Sequence, residues 1–441
     1  MASYTPTVLG QQAGLPPGGV TATQPVQPPN ITQSIAAAVD TLPAAQTLFR
    51  QLSTFSEIPL ETKLFTNGPG SNVRVNIDNV GLGVGTISQW QMVIQLANSG
   101  AAAETVSLSP WFPYDLIGST TCQINGGAVV YSASGPAGFL VASRKRRGIR
   151  RLTTDGGFGL ALSPALVSIT VANGTVTNAT GPSSLSGIAS ISIAAGATAT
   201  VTVNFVSFED FTLDENSLVG ALPLQRNGTS ASLVHTLTST MLTTANQNSI
   251  PFYNAGANIA LTLVNTSSVT PLYRYASVPP DPNSYLLIVA NSYQVQEDAS
   301  GSIAQTGSQT GVYKVPREMY LVACHFLLKD GNGNYLPFSN VNQLFLQYNG
   351  GNVIAARQYP QAARARQYLA YGTDLANMPG TRVWDGNDAS NNITNSDTMG
   401  WLNTYDAASP EFVFSLPSGV VTPVTFSAIR EQIVAGNFRV V

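Results

Sequence analysis

The sequence predicts an all-β protein made of two successive sandwiches. Short runs in which apolar and polar residues alternate recur along most of the chain, and this period-2 pattern is typical of half-buried strands. Turn-forming residues separate the runs, and little helix-like sequence lies between them. A proline-rich segment at residues 278–283 divides the runs into two groups. Two such groups of short strands indicate a duplicated sandwich.

The composition favours a neutral surface. Charged residues are only 10% of the 441 positions, whereas hydrophobic residues are 44%. In ordinary soluble proteins charged residues are about a quarter of the total, so small, hydroxyl and amide residues replace them here. Copies with so little charge repel one another weakly, which suits a subunit that packs against itself. The formal net charge of -3 argues against global binding of nucleic acid.

Residues 1–49 are predicted to form a flexible arm with a short helix. The arm is rich in Pro and Gln, and no charged side chain precedes Asp40. Such a segment buries too little apolar surface to order itself, although Ser34 can cap a short helix and Pro43 can begin another. The N-terminus does not resemble a signal peptide, and no apolar run is long enough to cross a membrane. We therefore expect synthesis in the cytoplasm.

Residues 50–278 are predicted to form the first sandwich. In its clearest run, Trp90, Met92 and Ile94 alternate with polar neighbours. Residues 208–211 are interpreted as an acidic and aromatic crossing between strands. The runs predicted as strands are 73–77, 90–96, 105–108, 120–124, 129–131, 166–171, 201–205, 232–238, 259–264 and 272–277.

Residues 279–284 are predicted to be a proline-rich linker, and residues 285–441 the second sandwich. Clustered prolines cannot lie in a central strand. One helix is expected from Pro360 onward, where Ala and Arg favour helix and Pro suits the first turn. A hairpin turn is expected from Asp330, because the sequence there lacks the Gly and Glu of a calcium loop. The strand runs are 285–290, 320–328, 344–348, 412–416 and 424–429.

Candidate catalytic residues are few. His235 and His325 both lie in apolar, strand-like runs, where a buried and hydrogen-bonded imidazole is far commoner than a general base. Cys122 and Cys324 lie in similar runs and are predicted to be buried free thiols. The sequence therefore predicts no enzyme, no bound metal and no cofactor.

Two acidic segments are weak candidates for a cation site. Four carboxylates lie between residues 209 and 215, and three acidic or amide side chains lie in residues 385–388. Carboxylates in loops more often cap turns or pair with arginines than bind a metal ion. A turn is therefore the preferred interpretation of residues 385–388.

A basic cluster stands out in a chain with so little charge. Such a cluster favours an anionic surface, which can be lipid head groups, nucleic acid or an acidic patch on a neighbouring protein. A solvated loop would also explain it. Its members are six of the 20 basic residues, namely Arg144, Lys145, Arg146, Arg147, Arg150 and Arg151.

Several segments together carry a resemblance to a known family. They are residues 93–98, 103–108, 194–198, 217–222, 273–275, 285–287, 319–322, 362–366 and 429–431, with the turn at Asp330. They are similar to segments of the double jelly-roll major capsid proteins of the tectivirus-like bacteriophages, in the lineage that also contains adenovirus hexons. The resemblance covers roughly residues 50–435. The basic cluster has no counterpart in it, and residues 172–187 look like an inserted loop.

The resemblance implies two eight-stranded jelly rolls side by side, with few short helices. Three copies would form a pseudo-hexagonal homotrimer that tiles an icosahedral shell around a membrane and double-stranded DNA. The implied partners are neighbouring copies, penton and minor capsid proteins, and the internal membrane, with no sequence-specific nucleic acid. The N-terminal arm and residues 144–151 are hypothesised to face the anionic lipid. The implied location is the virion, after synthesis in the host cytoplasm.

Two other classes of protein remain open from the residues alone. A β-sandwich spike or lectin-like protein that binds a receptor or a glycan would share the low charge, but it should carry an aromatic or carboxylate-rich cleft. An enzyme on a jelly-roll scaffold is disfavoured because both histidines lie in strands. The mass in solution separates a trimeric capsid subunit from a monomeric lectin.

Overall fold

The computed structural model describes most of the chain beyond the predicted arm. The described residues are 55–78, 80–145, 166–179, 184–213, 220–224, 230–277, 291–337, 340–341, 343–348, 353–358, 378–386, 402–405 and 409–435. Within them lie 25 strands, one α-helix and one short 3-10 helix. No helix in this part of the chain is long and apolar enough to span a membrane.

The first half of the chain contains strands β1 to β16 and both helices. Helix α1 spans Gly135–Lys145, and the 3-10 helix spans Tyr114–Leu116. The strands are β1 (Phe55–Pro59), β2 (Lys63–Leu64), β3 (Asn72–Ile77), β4 (Leu82–Asn98), β5 (Glu104–Leu108), β6 (Ile117–Ile124), β7 (Ala128–Ala133), β8 (Val167–Ala172), β9 (Thr175–Asn178), β10 (Ile188–Ile193), β11 (Thr198–Asp210), β12 (Leu222–Pro223), β13 (Ala231–Leu237), β14 (Phe252–Tyr253), β15 (Ile259–Leu263) and β16 (Ser268–Ala276).

The second half of the chain contains the remaining strands of the described residues. They are β17 (Asn291–Ile303), β18 (Gly307–Lys314), β19 (Tyr320–Lys329), β20 (Gln343–Tyr348), β21 (Val353–Gln358), β22 (Thr381–Asp385), β23 (Leu402–Asn403), β24 (Glu411–Leu416) and β25 (Val424–Ala435).

Two sheets belong to the first half alone. One has the order β1-β16-β4-β11-β8, with β2, β12 and β15 paired to its members, and the other has the order β14-β5-β10-β9. The long strand β4 is central because it pairs with β11 from Thr198↔Ala97 to Asp210↔Gly85. Its alternating residues, which include Trp90, Met92 and Ile94, are buried as predicted.

One sheet continues from the second half into the first. Its order is β22-β19-β25-β17-β7-β6-β13-β3, and β17 and β7 meet in parallel at Val295↔Tyr131 and Gln296↔Ser132. A fourth sheet, β18-β24-β20-β21, covers the second half. The two sandwiches are therefore joined edge to edge by backbone pairing.

The apolar interior follows the same division. One cluster fills the first sandwich and extends to Tyr293, Val295 and Tyr335 of the second half. The other cluster surrounds Phe326, whose ring centroid lies 4.9 Å from that of Phe414 in an edge-on contact. Fully burying such a side chain stabilises the fold by about 1.5–3 kcal/mol. The first core therefore also stabilises the contact between the halves.

The predicted strands within the described residues are all confirmed. The predictions that fall outside the described residues are the arm 1–49, the linker 279–284, the run 285–290 and the helix from Pro360. The interpretation of residues 208–211 as a crossing was wrong, because residues 208–210 continue β11. They remain in the strand because β4 continues to pair with them as far as Asp210.

Helix α1 was not predicted. Nearly all of its side chains are buried, so the apolar residues do not follow the 3.6-residue period that marks a surface helix. A weak signal was present at its start, where Pro136 occupies the first turn. The sequence pattern thus concealed this helix because it is enclosed by both halves of the protein.

Candidate functional site

The basic cluster does not form one exposed patch. Arg144 and Lys145 are the last two residues of α1, and they are only 8% and 3% exposed. The other four members lie outside the described residues. Burial to this degree is incompatible with the lipid contact predicted for Arg144 and Lys145, because both side chains are engaged inside the subunit.

The buried side chains around these two residues come from both halves of the chain. We call this group the junction cluster. Its members are Arg144, Lys145, Tyr293, His325, Asp385 and Glu431.

Glu431 on β25 lies at the centre of the junction cluster and is fully buried. Its Oε1 accepts hydrogen bonds from Arg144 Nε at 2.6 Å and His325 Nε2 at 2.7 Å. Its Oε2 accepts from Arg144 Nη2 and from Tyr293 Oη, the latter at 2.5 Å. Burial alone would raise the pKa of Glu431, but Arg144 and His325 outweigh it and hold the pKa well below its usual range. The carboxylate is therefore ionised in the interior.

Arg144 connects the two halves through charge. Its helix belongs to the first half, whereas Glu431 and Asp385 belong to the second. The guanidinium binds Glu431 in a bidentate pair, and its Nη1 lies 3.9 Å from Asp385 Oδ2. Burial alone would lower the pKa of Arg144, but the two carboxylates hold it well above its usual range.

Lys145 connects the two halves through a cation–π contact with Tyr293. Its Nζ donates to the backbone carbonyls of Thr212 at 2.9 Å and Asp210 at 3.4 Å. The same ammonium lies 4.0 Å from the centroid of the Tyr293 ring, which is on β17 of the second half. A desolvated cation–π contact of this kind contributes about 2 kcal/mol. Both basic side chains also suit the negative end of the α1 dipole.

Gly220 allows the backbone of the first half to approach Tyr293 closely. Its φ is +89°, in the region that favours glycine. A Cβ atom at this position would lie 2.3 Å from the Tyr293 Cβ and 2.6 Å from the Phe211 carbonyl oxygen. The junction therefore depends on the absence of a side chain at this position.

Further hydrogen bonds cross the junction away from the charges. Trp111 Nε1 donates to the Pro379 carbonyl at 3.2 Å, and the Ser134 backbone N–H donates to Glu297 Oε2 at 2.6 Å. Together with the shared sheet and the shared core, they hold the two sandwiches in one fixed relation.

The turn predicted at Asp330 is confirmed and also reaches the first half. Asp330 Oδ1 accepts the backbone N–H groups of Asn332 and Asn334, and Gly333 has a φ of +77°. The Asn334 side chain accepts the Asn248 backbone N–H at 2.8 Å. The carboxylate thus caps a turn, as expected for a sequence that departs from the calcium loop.

The first acidic segment, residues 209–215, begins inside a strand. Glu209 and Asp210 are buried in β11 and do not lie in a loop. Glu209 accepts hydrogen bonds from Ser207, Thr86 and Ser88 at 2.6, 2.7 and 2.7 Å. Burial nevertheless raises the pKa of Glu209. The other two carboxylates of that segment lie outside the described residues.

The segment 385–388 begins as a strand where a turn was expected. Asp385 ends β22 and contributes to the junction cluster, whereas residues 387–388 lie outside the described residues. Among the described residues no group of three His, Cys, Asp or Glu side chains is placed to hold a metal ion.

Both histidines and both cysteines are buried, as predicted. Each histidine, however, has a hydrogen-bond partner at only one of its two ring nitrogens. His235 Nδ1 hydrogen-bonds Thr120 at 3.1 Å while its Nε2 has no partner, and His325 Nδ1 has no partner. The strand pattern indicated burial, but the number of partners depends on which side chains the tertiary fold places beside each ring.

We expect His235 to make stability depend on pH between about 6.5 and 3. Burial lowers the pKa of His235 to about 3, so the unfolded chain takes up a proton at a higher pH than the folded protein. The stabilisation from neutral, buried His235 is fully present above the pKa of this residue in the unfolded chain. As the pH falls below that pKa, the free energy of unfolding decreases by up to about 1.4 kcal/mol per pH unit. Denaturant unfolding across this range should show a shallower pH slope for His235→Gln. Equal slopes for the two proteins would contradict the assignment.

Two solved structures share the fold over most of the chain. A chain in the atomic structure of Sulfolobus Turreted Icosahedral Virus matches with a TM-score of 0.55 at 14% identity, covering 87% of this chain and 92% of that one. The crystal structure of the STIV major capsid protein matches with a TM-score of 0.53 at 13% identity, covering 85% and 97%. No protein-family model and no curated protein sequence matches the chain. The double jelly-roll fold implied by the resemblance is confirmed.

Proposed function

We propose that this protein is a major capsid protein whose copies tile an icosahedral virus shell. The observation that carries the proposal is the double jelly-roll fold, shared over most of the chain with a major capsid protein and with a chain of an icosahedral virus. The charged content of only 10% supports it, because copies with so little charge pack together without strong repulsion. The protein acts through assembly, and its location is the virion.

The assembly unit that suits this fold is a homotrimer. Each copy contributes two sandwiches side by side, so three copies around a threefold axis present six similar blocks and a nearly hexagonal outline. An obligate trimer of this kind buries on the order of several thousand Å². Contacts between trimers should be smaller and more polar, so that misplaced trimers dissociate. The fixed junction between the sandwiches keeps the outline constant from copy to copy.

The trimer is tested by the mass of the purified protein in solution. We expect light scattering to give three times the chain mass of 46.3 kDa, because the trimer interface is of the obligate class. Electron micrographs of particles in which this chain is the dominant band would support the shell. A stable monomer that binds glycans would overturn the proposal in favour of the lectin-like alternative.

The shell is further proposed to enclose a membrane and double-stranded DNA, with penton and minor capsid proteins as additional partners. Support comes from the resemblance and from the four arginines between positions 146 and 151, which form a basic run directly after α1. Such a run attracts an anionic lipid surface by about 1 kcal/mol per basic residue. The N-terminal arm, residues 1–49, carries no charged side chain before Asp40 and is proposed to contact neighbouring trimers or the vesicle.

The lipid contact is tested by reversing the charge of those four arginines to glutamate. We expect weaker sedimentation with phosphatidylglycerol vesicles and an unchanged trimer mass, because the junction cluster is intact. Arg74→Glu on β3 is the matched control, since Arg74 is exposed and should leave vesicle binding unchanged. Vesicle binding that survives the fourfold reversal would rule out the contact.

A further inference from the structure

A cleft of about 540 Å³ lies where the two halves meet. Asp115 and Ser134 of the first half line one side, and Glu297, Lys329 and Tyr335 of the second half line the other. Most of the remaining polar wall is made of serine and threonine hydroxyls. We call this space the junction cleft. It is open to solvent and large enough for a small molecule.

Asp115 is the residue of this cleft that the fold leaves incomplete. It lies in the 3-10 helix and is only 6% exposed. Neither carboxylate oxygen has a donor in good hydrogen-bond geometry, although the Ser109 hydroxyl and the Lys329 ammonium lie near enough to favour its ionised form. A buried carboxylate without a partner is strongly disfavoured, and native structures nearly always supply donors to it. Both oxygens of Asp115 are covered by the cleft wall, so a ligand in the cleft must displace part of that wall to supply the missing donors.

The charges around Asp115 determine which sign of charge a ligand in the cleft should carry. Glu297 adds a second carboxylate, and the Lys329 ammonium lies 5.2 Å from the centroid of the Tyr335 ring. Asp298, which also lines the cleft, is neutralised by Arg430 at 2.7 Å. When Asp115 is ionised, two carboxylates against one ammonium leave a net charge of about one negative unit, so a cation complements the site.

We propose that the junction cleft binds a small organic cation whose primary ammonium group donates hydrogen bonds to Asp115. An ammonium group offers three N–H donors, which is enough to satisfy both carboxylate oxygens. The alkyl part of the ligand would lie against Tyr335 and Phe426, which contribute apolar surface to the same cleft. The inference does not depend on the capsid role.

The protonation state of Asp115 gives the binding a distinctive signature. Burial raises the pKa of Asp115 to about 7, although the nearby Ser109 hydroxyl and Lys329 lower it in part. An ammonium group is bound by the ionised carboxylate, so binding below this pKa must release a proton. Well above pH 7, Asp115 is already ionised and binding should release almost none.

The test is calorimetric titration of the full-length protein with n-butylammonium, beside tetramethylammonium as a cation of similar size without N–H donors. We expect n-butylammonium to bind at least tenfold more tightly, with close to one proton released at about pH 6 and almost none at about pH 8.5. Proton release is obtained by repeating each titration in buffers of different ionisation enthalpy.

Two variants show whether Asp115 is responsible. Asp115→Asn should weaken n-butylammonium binding at least tenfold and abolish the proton release, and it should fold because it removes an unpaired buried charge. Asp78→Asn is the matched control, since Asp78 is exposed and lies away from the cleft. Glu297→Gln provides a second cleft variant, which should weaken binding to a smaller degree.

Several outcomes would overturn the inference. They are equal affinity for the two cations, no binding at concentrations on the order of 10 mM, or tighter binding of Mg²⁺ than of n-butylammonium. Binding of a neutral sugar that survives Asp115→Asn would also overturn it, and would instead agree with a glycan site.

Discussion

Replacing Arg144 with methionine is expected to lower the free energy of unfolding by about 3–5 kcal/mol. Methionine keeps much of the volume but removes two hydrogen bonds to Glu431, whose carboxylate is fully buried. His325 and Tyr293 alone would then face that charge, and neither is a permanent cation. Denaturant-induced unfolding, followed by tryptophan fluorescence, measures the loss. A variant that accumulates only as insoluble protein would show the same effect in its extreme form.

The controls for Arg144→Met separate charge from side-chain size. Arg74→Met removes an exposed arginine and should change stability by less than about 0.5 kcal/mol. The double variant Arg144→Met/Glu431→Gln removes both charges, so it should be more stable than the sum of the single effects predicts. If Arg144→Met were no more destabilising than Arg74→Met, the junction cluster would not stabilise the contact between the halves.

Replacing Gly220 with alanine is expected to cost about 2–5 kcal/mol, from overpacking together with the left-handed backbone. The added Cβ would lie 2.3 Å from the Tyr293 Cβ and 2.6 Å from the Phe211 carbonyl oxygen, and these are backbone-fixed atoms that cannot rotate away. The chain of the first half would have to withdraw from β17. Thermal unfolding and the solution mass should both change, because the displaced contact lies between the two sandwiches.

Gly196→Ala is the matched control for Gly220→Ala. Gly196 also has a positive φ, +65°, but an added Cβ there meets no atom within 4 Å. It should therefore show only the backbone cost of roughly 1–2 kcal/mol. Equal losses at the two glycines would mean that the close approach to Tyr293 contributes nothing.

Both variants bear on the proposed capsid role. A nearly hexagonal trimer requires that the two sandwiches of each copy keep a constant relation. Arg144 and Gly220 act on that relation through a buried ion pair and a close backbone approach. We therefore expect either variant, where it folds, to reduce the yield of trimers more than the controls do.

The strands were predictable because their signal is local. Alternation along Trp90, Met92 and Ile94 reports one buried face of one strand, and it needs no knowledge of the partner strand. The two sandwiches followed from the distribution of such runs around the prolines at 278–283. The low charge content predicts a subunit that packs against itself, and this prediction belongs to the proposed function.

β19 shows where the local signal reaches its limit. Its predicted apolar face includes Cys324 and Phe326, yet His325 on the opposite face is buried as well. The strand lies between the two apolar cores, so both of its faces are covered. An alternating pattern predicts a strand with one buried face and one solvent-exposed face. It cannot show that a second sandwich buries the other face as well.

The sequence by itself determined the fold class, the burial of the histidines and cysteines, and the presence of an unusual basic run. Only the tertiary structure divided that run, because it placed Arg144 and Lys145 at the end of a helix enclosed by both halves. Glu431 lies 287 positions from Arg144 along the chain. A pattern read over neighbouring residues reports solvent exposure on average, whereas a buried ion pair is decided by which distant side chain the fold places beside the charge.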